Sequence, residues 1–403
     1  MRLLHTGDWH LGKRLYGADR GAEARAALEE VARVAANEAV DAVLVAGDLL
    51  DRRLVDSAAL GDCLTALERL AAVAPVLAVA GNHDDPALWS HLAPYLAARR
   101  IHVAGKVRPV ADAVVTLDTA AGPLHAAMLP WPDPAQMKLD AGASVQDART
   151  RWADRVGALL LDYGAEAARR RREQGGVAVL LGHLMIERAL AGGGERELTM
   201  GISYTVSSAS VPVDLDYVAL GHVHRPQTLP GVAAAGRYCG SPMALDFSED
   251  NHAKCVVVVD VGGDTTRARE VPLAAARPLV RLRGRIDDLG ALASAHPGAW
   301  FACEVLLDAP VTDLIRQVRE AVPGALRVEP VYAAPIGVLP EAGDGGGDGA
   351  TRNLPALYAE WTAGARARAR RSRGPPAPKR TRRCTRSPSS ARARRRPPGR
   401  ARS

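Results

Sequence analysis

The sequence predicts an α/β fold with parallel strands and a functional site at their carboxyl ends. Two observations predict this fold. Through roughly the first hundred residues, short apolar runs alternate with amphipathic helix-length segments in the order β-α-β-α-β-α. Five apolar runs along the chain also stop at a glycine or at a cluster of Asp, His and Asn side chains. The alternation favours parallel strands joined by right-handed crossovers, and open α/β sheets bind ligands beyond the carboxyl ends of their strands.

The first half of the chain supplies three strand and helix pairs. Residues 23–38 place Leu28, Val31 and Val34 on one helical face, which is typical of an amphipathic helix. Ser57 is suited to cap the next helix, and Pro86 suits a first helical position. The predicted strands are 2–6, 41–46 and 76–80, and the predicted helices are 23–38, 57–70 and 86–98.

The second half is richer in strands. Alternating runs at 101–129 predict a β-rich edge, a helix is expected at 147–173, and further strands are expected at 177–181, 217–220 and 256–261. The glycines at 192–194 predict a mobile loop beside His183. Residues 279–332 read as a small β-β-α-β unit. We therefore expect a main domain at 1–272, a second domain at 278–335, and a linker with a low-complexity tail at 341–403.

The charge is unevenly distributed. Residues 352–403 contain 17 Lys or Arg and one acid, a net charge of +16, so the chain total of +7 leaves −9 on the first 351 residues. The basic tail has too little apolar surface to fold alone and is expected to be disordered, whereas the acidic body has no electrostatic footprint for nucleic acid. The five scattered cysteines include no Cys-x-x-Cys pair, which argues against a zinc knuckle. No signal peptide or membrane span is predicted, so a cytoplasmic protein is expected.

Side chains able to bind metal ions follow the five strand ends. They are Asp8, His10, Asp48, Asn82, His83, His183, His222 and His224. Two divalent cations need a shared oxygen ligand, and Asp48 suits this bridging role because a carboxylate offers one oxygen to each ion. Asn82 and His183 could bind one ion. Asp51 and Asp84 could cap turns or orient a ligand histidine through a hydrogen bond.

The other candidate ligands can also be divided between the two metal ions. Asp8 and His10 are one residue apart and could bind the other ion of the pair. His222 and His224 are also one residue apart, so each could serve a different ion. His83 exceeds the coordination number and is free to donate a proton.

The motifs resemble those of a known superfamily. Asp8-x-His10, Gly47-Asp48-x-x-Asp51, Gly81-Asn82-His83-Asp84, Gly182-His183 and Gly221-His222-x-His224 match, in order, the motifs of the calcineurin-like metallophosphoesterases. Within it, residues 5–12 (His-Thr-Gly-Asp-Trp-His-Leu-Gly) and 238–242 (Tyr-Cys-Gly-Ser-Pro) resemble the SbcD family, nuclease subunits related to double-strand-break repair nucleases. The resemblance runs from residue 1 to about residue 332.

The resemblance implies a four-layer α-β-β-α sandwich with a small α/β capping domain at 278–335. It implies that one metal ion is bound by Asp8, His10, Asp48 and His224, and the second by Asp48, Asn82, His183 and His222. His83 would act on the phosphate or the leaving group. The family also implies Mn²⁺, which the mixed nitrogen and oxygen ligands alone could not distinguish from iron or zinc.

The implied function is two-metal hydrolysis of DNA phosphodiester bonds in end processing, recombination and repair. The family implies a 3′–5′ double-strand exonuclease and single-strand endonuclease that acts on DNA ends and hairpins. Its partner would be an SbcC-like SMC-family ATPase, with a homodimer of this chain inside a heterotetramer. Two alternatives remain open at this point: a phosphodiesterase or phosphatase for small substrates, and a non-catalytic protein that tethers DNA ends.

The tail departs from the family pattern. Family members continue with amphipathic helices that dock on the ATPase, and residues 354–361 begin in that manner. Beyond Trp361, however, the composition collapses to Arg, Ala, Pro, Gly and Ser. We hypothesise a frameshift shortly after Trp361; the competing idea is a native basic arm that binds DNA through its charge. Translating the gene in its other two frames tests the frameshift, which fails if neither frame encodes an amphipathic helix.

Overall fold

Two mixed β-sheets lie face to face at the centre of the protein. The computed structural model describes residues 1–54, 56–135, 145–191, 204–249, 253–262 and 265–332. The glycine loop at 192–194 and the basic tail at 341–403, for which the sequence predicts mobility and disorder, lie outside the described residues.

The first sheet carries the strands of the amino-terminal half. Its strands, in spatial order, are β16 (Thr265–Pro272), β15 (Cys255–Gly262), β1 (Arg2–Thr6), β4 (Ala42–Val45), β5 (Val76–Val79) and β6 (Ile101–Ala104). The four strands from β1 to β6 are parallel, as predicted, and β15 and β16 extend the sheet in antiparallel pairing. The parallel strands read as continuous apolar runs because both faces of this sheet are covered.

The second sheet has the same construction. In spatial order its strands are β13 (Gln227–Thr228), β14 (Gly236–Tyr238), β12 (Tyr217–Gly221), β9 (Val177–His183), β8 (Gly122–Leu129) and β7 (Val114–Thr119). The four strands from β14 to β8 are parallel, and an antiparallel strand closes each edge. The carboxyl ends of β9 and β12 therefore meet at one edge. Short pairs at β2 (Arg14–Leu15) with β3 (Ala18–Asp19), and β10 (Met185–Ile186) with β11 (Thr205–Val206), lie outside these sheets.

Helices cover the outer faces of both sheets. They are α1 (Gly21–Asn37), α2 (Ser57–Val73), α3 (Pro86–Ala97), α4 (Val110–Ala113) and α5 (Val145–Gln174). Buried residues of α1 to α3 pack against the first sheet and those of α5 against the second, while a third apolar cluster fills the space between the sheets. This is the predicted four-layer α-β-β-α sandwich. None of the described helices combines the length and apolar composition that a membrane span requires.

The carboxyl-terminal module differs from its predicted strand order. Three parallel strands, β17 (Leu279–Gly284), β18 (Trp300–Leu307) and β19 (Ala325–Tyr332), alternate with α6 (Ile286–Ser294) and α7 (Leu314–Ala321). The predicted β-β-α-β unit was wrong because it omitted α6. Parallel neighbours need a crossover, and helices are its usual form. We call residues 279–332 the capping module. It packs on the main body through Leu15, Phe247, Leu279 and Ala302.

Candidate metal centre

Five strand ends deliver the predicted side chains to one place. Asp8 and His10 follow β1, Asp48 follows β4, Asn82 and His83 follow β5, His183 ends β9, and His222 and His224 follow β12. The rings and carboxylates are withdrawn from solvent: Asp8, His10, Asp48, His183 and His224 are each at most 2% exposed. Within each sheet the carboxyl ends of the parallel strands share an edge. The ligands come from both sheets, since β1, β4 and β5 belong to the first sheet and β9 and β12 to the second, and the backbone N–H of His222 donates to Asp8 Oδ1 at 3.0 Å where the two edges meet.

Asp48 lies at the middle of the cluster. Its Oδ2 atom is 3.4 Å from His10 Nε2 on one side and 3.4 Å from His183 Nε2 on the other. Its Oδ1 atom accepts a hydrogen bond of 2.9 Å from the backbone N–H of His83. Asp48 is thus placed between two separate groups of ligand atoms, as a bridging carboxylate must be.

Each side of Asp48 has its own convergent atoms. On one side, His10 Nε2 and His224 Nε2 approach to 3.2 Å. On the other side, Asn82 Oδ1 is 3.0 Å from His183 Nε2 and 3.0 Å from His222 Nδ1. Asp8 lies near both groups, since its carboxylate is within ligand distance of His10 and His224 and also of Asp48 and His183; the assignment of each residue to an ion stays a prediction.

The donor set fits a pair of divalent cations. Three groups have ligand atoms within 4.8 Å of one another: Asp8, His10 and His224; His10, Asp48 and His83; and Asp8, Asp48 and His183. Buried carboxylate oxygens and imidazole nitrogens that converge in this way suit borderline divalent ions such as manganese, iron and zinc. Such buried polar atoms are otherwise expected to be hydrogen-bonded or paired.

The backbone at the centre is strained. Asp8, His10, Asp48 and His222 have φ angles of 51°, 45°, 48° and 96°, in a region that side chains other than Gly rarely adopt. Each such residue costs on the order of 1–3 kcal/mol and persists only where its surroundings enforce it. Hydrogen bonds between the two loops do so here, from the N–H of Asp8 to Gly47 O and from the N–H of His10 to Asp48 O, both 2.9 Å long.

Glycines precede the ligands because the ligands occupy the space of a side chain. A Cβ on Gly81 would lie 2.0 Å from Asp48 Oδ1, and one on Gly47 would lie 2.3 Å from His183 Nδ1. Gly47 also has a φ of 92°, which favours glycine independently of the contact. Gly47 and Gly81 are therefore required because the strand-end loops approach one another too closely for a side chain at these positions.

Burial and mutual charge shift the pKa values of the site. Burial raises the pKa of Asp8 to about 6, and it lowers the pKa of His10 to about 4 and of His222 to about 3. Burial also lowers the pKa of His183, but the Asp48 and Asp8 carboxylates outweigh it and raise that pKa to about 9. Burial disfavours the Asp48 anion, yet the surrounding histidines hold its pKa well below the usual range. An ionised Asp48 with neutral histidines is the protonation state that binds cations, so His10 and His222 are already in the binding form, whereas His183 must lose its proton when a cation binds.

Comparison with known proteins gives the family. A family model described as calcineurin-like phosphoesterase matches residues 1–226. The SbcD subunit of the nuclease SbcCD from Bacillus subtilis (strain 168) is 32% identical over 82% of this chain and 86% of its own length. The chain belongs to the SbcD family of calcineurin-like phosphoesterases. The SbcD subunits of Rhodobacter capsulatus, 33% identical over 70% of this chain and 71% of that relative, and of Escherichia coli (strain K12), 28% identical over 82% and 84%, are also similar.

The capping module has a match of its own. A family model described as type 5 capsule protein repressor C-terminal domain, named SbcD_C, matches residues 275–346. The structure describes this stretch as far as residue 332, and β17, α6, β18, α7 and β19 all lie within it. The capping module is therefore the described part of the SbcD carboxyl-terminal domain.

His83 lies at the edge of this SbcD-family site. Its ring centroid is 4.6 Å from that of His10, and the side chain is buried with 7% of the residue exposed. His83 Nδ1 is 2.8 Å from the carbonyl oxygen of Asp51. Because a carbonyl only accepts, Nδ1 carries the proton in this contact, so Nε2 is the ring nitrogen that this hydrogen bond does not use.

The two predicted supporting carboxylates differ in what they contact. Asp51 Oδ1 lies 3.5 Å from His10 Nδ1, a position from which it can orient that ring. Asp84 instead accepts hydrogen bonds from the backbone N–H groups of Gly81, Leu49 and Leu50, at 2.8, 3.2 and 3.0 Å. Asp84 therefore ties the Asp48 loop to the Asn82 loop, which is the turn-capping role rather than the ligand-orienting one.

Sequence reasoning missed two side chains of the SbcD-family site. Glu249 accepts a hydrogen bond from His224 Nδ1 at 3.0 Å and contacts Lys254 Nζ at 2.7 Å. Burial raises the pKa of Glu249, but the His224 hydrogen bond and Lys254 outweigh it and lower that pKa to about 2. Trp131 stacks on His222, with ring centroids 5.4 Å apart and an interplanar angle of 20°. Trp131 could have been found, since it follows a strand end like the ligands; Glu249 has no such signal.

Proposed function

We propose that this SbcD-family chain is the DNA-cleaving component of an ATP-dependent nuclease complex. Family membership makes it a metal-dependent nuclease. The observation that carries the proposal is the position of Asp48, with its Oδ2 atom 3.4 Å from a histidine nitrogen on each side. The proposed activities are 3′–5′ exonuclease on duplex ends and endonuclease on single strands and hairpins, in DNA repair and recombination.

The proposed ligand sets are those that the family resemblance implies. One ion would be bound by Asp8, His10, Asp48 and His224, and the other by Asp48, Asn82, His183 and His222. We propose Mn²⁺ for both positions. When bound, such a pair of ions activates water and offsets the negative charge that develops on the phosphate.

His83 is the proposed general acid. The Asp51 carbonyl fixes its ring through Nδ1–H, so in the doubly protonated ring Nε2 is the nitrogen that would transfer its proton to the departing 3′ oxygen, which leaves the neutral ring with its proton on Nδ1. Proton transfer by a positioned side chain contributes about 10²–10⁴-fold to rate. Asp51 thereby acts twice, through its backbone on His83 and through its carboxylate on His10.

The proposed partner is an SbcC-like SMC-family ATPase, with two copies of this chain in a heterotetramer in the cytoplasm. The similarity to proteins named as parts of the nuclease SbcCD supports this proposal. A gene for a long coiled-coil ATPase beside this one would support it further. Co-purification of the two products, and the mass of the complex by light scattering, would test the stoichiometry.

The substrate is tested by comparing a DNA duplex with a small diester. Purified protein with Mn²⁺, alone and with its ATPase, is assayed on end-labelled linear duplex and on bis(p-nitrophenyl) phosphate. We expect Mn²⁺-dependent loss of the duplex and none with Asp48→Ala. Hydrolysis of the small diester without cleavage of DNA in any of these conditions would replace the proposal with a small-substrate phosphodiesterase.

A further inference from the structure

A short turn links the metal centre to the capping module. It is the 3₁₀ turn Phe247–Glu249. The residues at its two ends, Phe247 and Glu249, are 0% and 1% exposed, and they face different parts of the protein. We call Phe247–Glu249 the linking turn.

Both oxygens of the carboxylate at one end of the linking turn accept hydrogen bonds. Glu249 Oε1 accepts from His224 Nδ1 at 3.0 Å. Glu249 Oε2 accepts from Lys254 Nζ at 2.7 Å and from the backbone N–H of Leu245 at 3.0 Å. Lys254 also donates to Ser241 Oγ at 3.0 Å, within the Gly-Ser-Pro segment that resembles the family. These contacts fix the rotamer of the carboxylate, and the carboxylate in turn fixes the ring of His224.

The aromatic ring at the other end is held by the capping module. Phe247 packs in one buried cluster with Leu279 and Ala302, which belong to β17 and β18. The Nε atom of Arg281, also on β17, donates a hydrogen bond of 3.0 Å to the Phe247 carbonyl oxygen. The capping module therefore contacts the linking turn through both apolar packing and a hydrogen bond.

We propose that Glu249 is a positioning residue for His224 and that the linking turn couples the capping module to the metal centre. The proposal rests on the proposed metal site, in which His224 is a ligand. A carboxylate that holds the second nitrogen of a ligand histidine fixes its tautomer and orientation, and its loss typically costs about 10–100-fold in metal affinity. Displacement of the capping module would shift the turn and loosen His224, so contacts made by the module act on metal binding at a distance.

The test measures Mn²⁺ binding rather than cleavage. Free Mn²⁺ is titrated against the full chain by electron paramagnetic resonance, and the Mn²⁺-induced rise in melting temperature is recorded in parallel. We expect Glu249→Ala to weaken binding about 10–100-fold, with Glu249→Gln in between because its amide oxygen still accepts from His224. Arg281→Ala should weaken binding by a smaller factor. Arg283→Ala is the matched control: it lies two residues along β17, with its side chain 65% exposed and 3.9 Å from Glu304.

Each outcome has a distinct meaning. If Asp48→Ala binds Mn²⁺ like the wild type, the proposed metal centre itself fails. If Asp48→Ala loses Mn²⁺ while Glu249→Ala and Glu249→Gln retain full affinity, the positioning role alone is overturned. If both Glu249 variants lose affinity but Arg281→Ala matches Arg283→Ala, the coupling to the capping module is overturned. If Glu249→Ala does not fold, Glu249→Gln alone tests the positioning role of Glu249.

Discussion

Gly81 offers the sharpest test of how tightly the metal centre is packed. A Cβ at this position would lie 2.0 Å from Asp48 Oδ1 and 2.4 Å from the backbone nitrogen of Asp48, whereas real Cβ contacts essentially never fall below 3.0 Å. Gly81→Ala therefore requires a relative movement of about 1 Å between the two loops. Neither loop moves easily, since Asp84 joins them through hydrogen bonds to Gly81 and to Leu49 and Leu50.

The expected loss follows from that displacement. A misplacement of about 1 Å at a catalytic constellation costs on the order of 100-fold in rate, equivalent to about 2.7 kcal/mol. Asp48 is the proposed shared ligand, so Gly81→Ala should lower both the number of Mn²⁺ ions retained after gel filtration and kcat/KM on linear duplex DNA. Elemental analysis gives the first quantity and an end-labelled substrate the second.

A second glycine gives the control. Gly61 lies inside α2, and a Cβ there would meet nothing within 4 Å. Gly61→Ala should leave Mn²⁺ content and activity unchanged and stabilise the helix by somewhat less than about 1 kcal/mol. Full Mn²⁺ content together with wild-type activity in Gly81→Ala would refute the claim that the two loops are closely packed around Asp48.

Three further predictions concern single side chains. His83→Ala should retain its Mn²⁺ by elemental analysis yet lose about 10²–10⁴-fold in turnover; loss of the metal would contradict its role as an acid. Trp131→Ala removes the ring stacked on His222 and should weaken Mn²⁺ binding about 2–10-fold, from a pair energy of about 0.5–1.5 kcal/mol, with Trp131→Phe closer to the wild type in calorimetry. The raised pKa of Asp8, about 6, means that protons compete with the cation as pH falls through this value, so Mn²⁺ affinity measured against pH should drop there. A flat profile from neutral pH to pH values below it would contradict the raised pKa of Asp8.

Most residues of the metal centre were predictable from the sequence because one rule applies to most of them. Asp8, Asp48 and His222 each follow a buried apolar strand, and parallel strands bring their carboxyl ends together within a sheet. That the carboxyl edges of the two sheets meet, so that His222 lies beside Asp8, was implied only by the family resemblance. The parallel strands were predictable from the alternation of strands and helices, and the four-layer arrangement from the resemblance of the motifs to a known family. The assignment of each residue to an ion stays a prediction.

What the sequence did not predict depends on tertiary contacts. Glu249 belongs to a turn rather than to a strand end, and only the fold places it beside His224. Helix α6 was missed because Ile286–Ser294 is short, and propensity is a weak guide over so few residues. The cap of α2 is Asp56 rather than the predicted Ser57, since its carboxylate accepts from the N–H of Ala58; boundaries of this kind often shift by a residue.

The left-handed backbone of the ligand loops places the metal ligands but lowers the conformational stability of the protein. His10 has a φ of 45° that a glycine would adopt without penalty, so a chain with glycine there would lose a ligand and relieve stored conformational energy. The same reasoning extends to Asp8 and Asp48. An inactive variant with glycine at these positions is therefore expected to have a higher melting temperature than the present protein. Selection for cleavage, and not for stability, keeps Asp8, His10 and Asp48 in place.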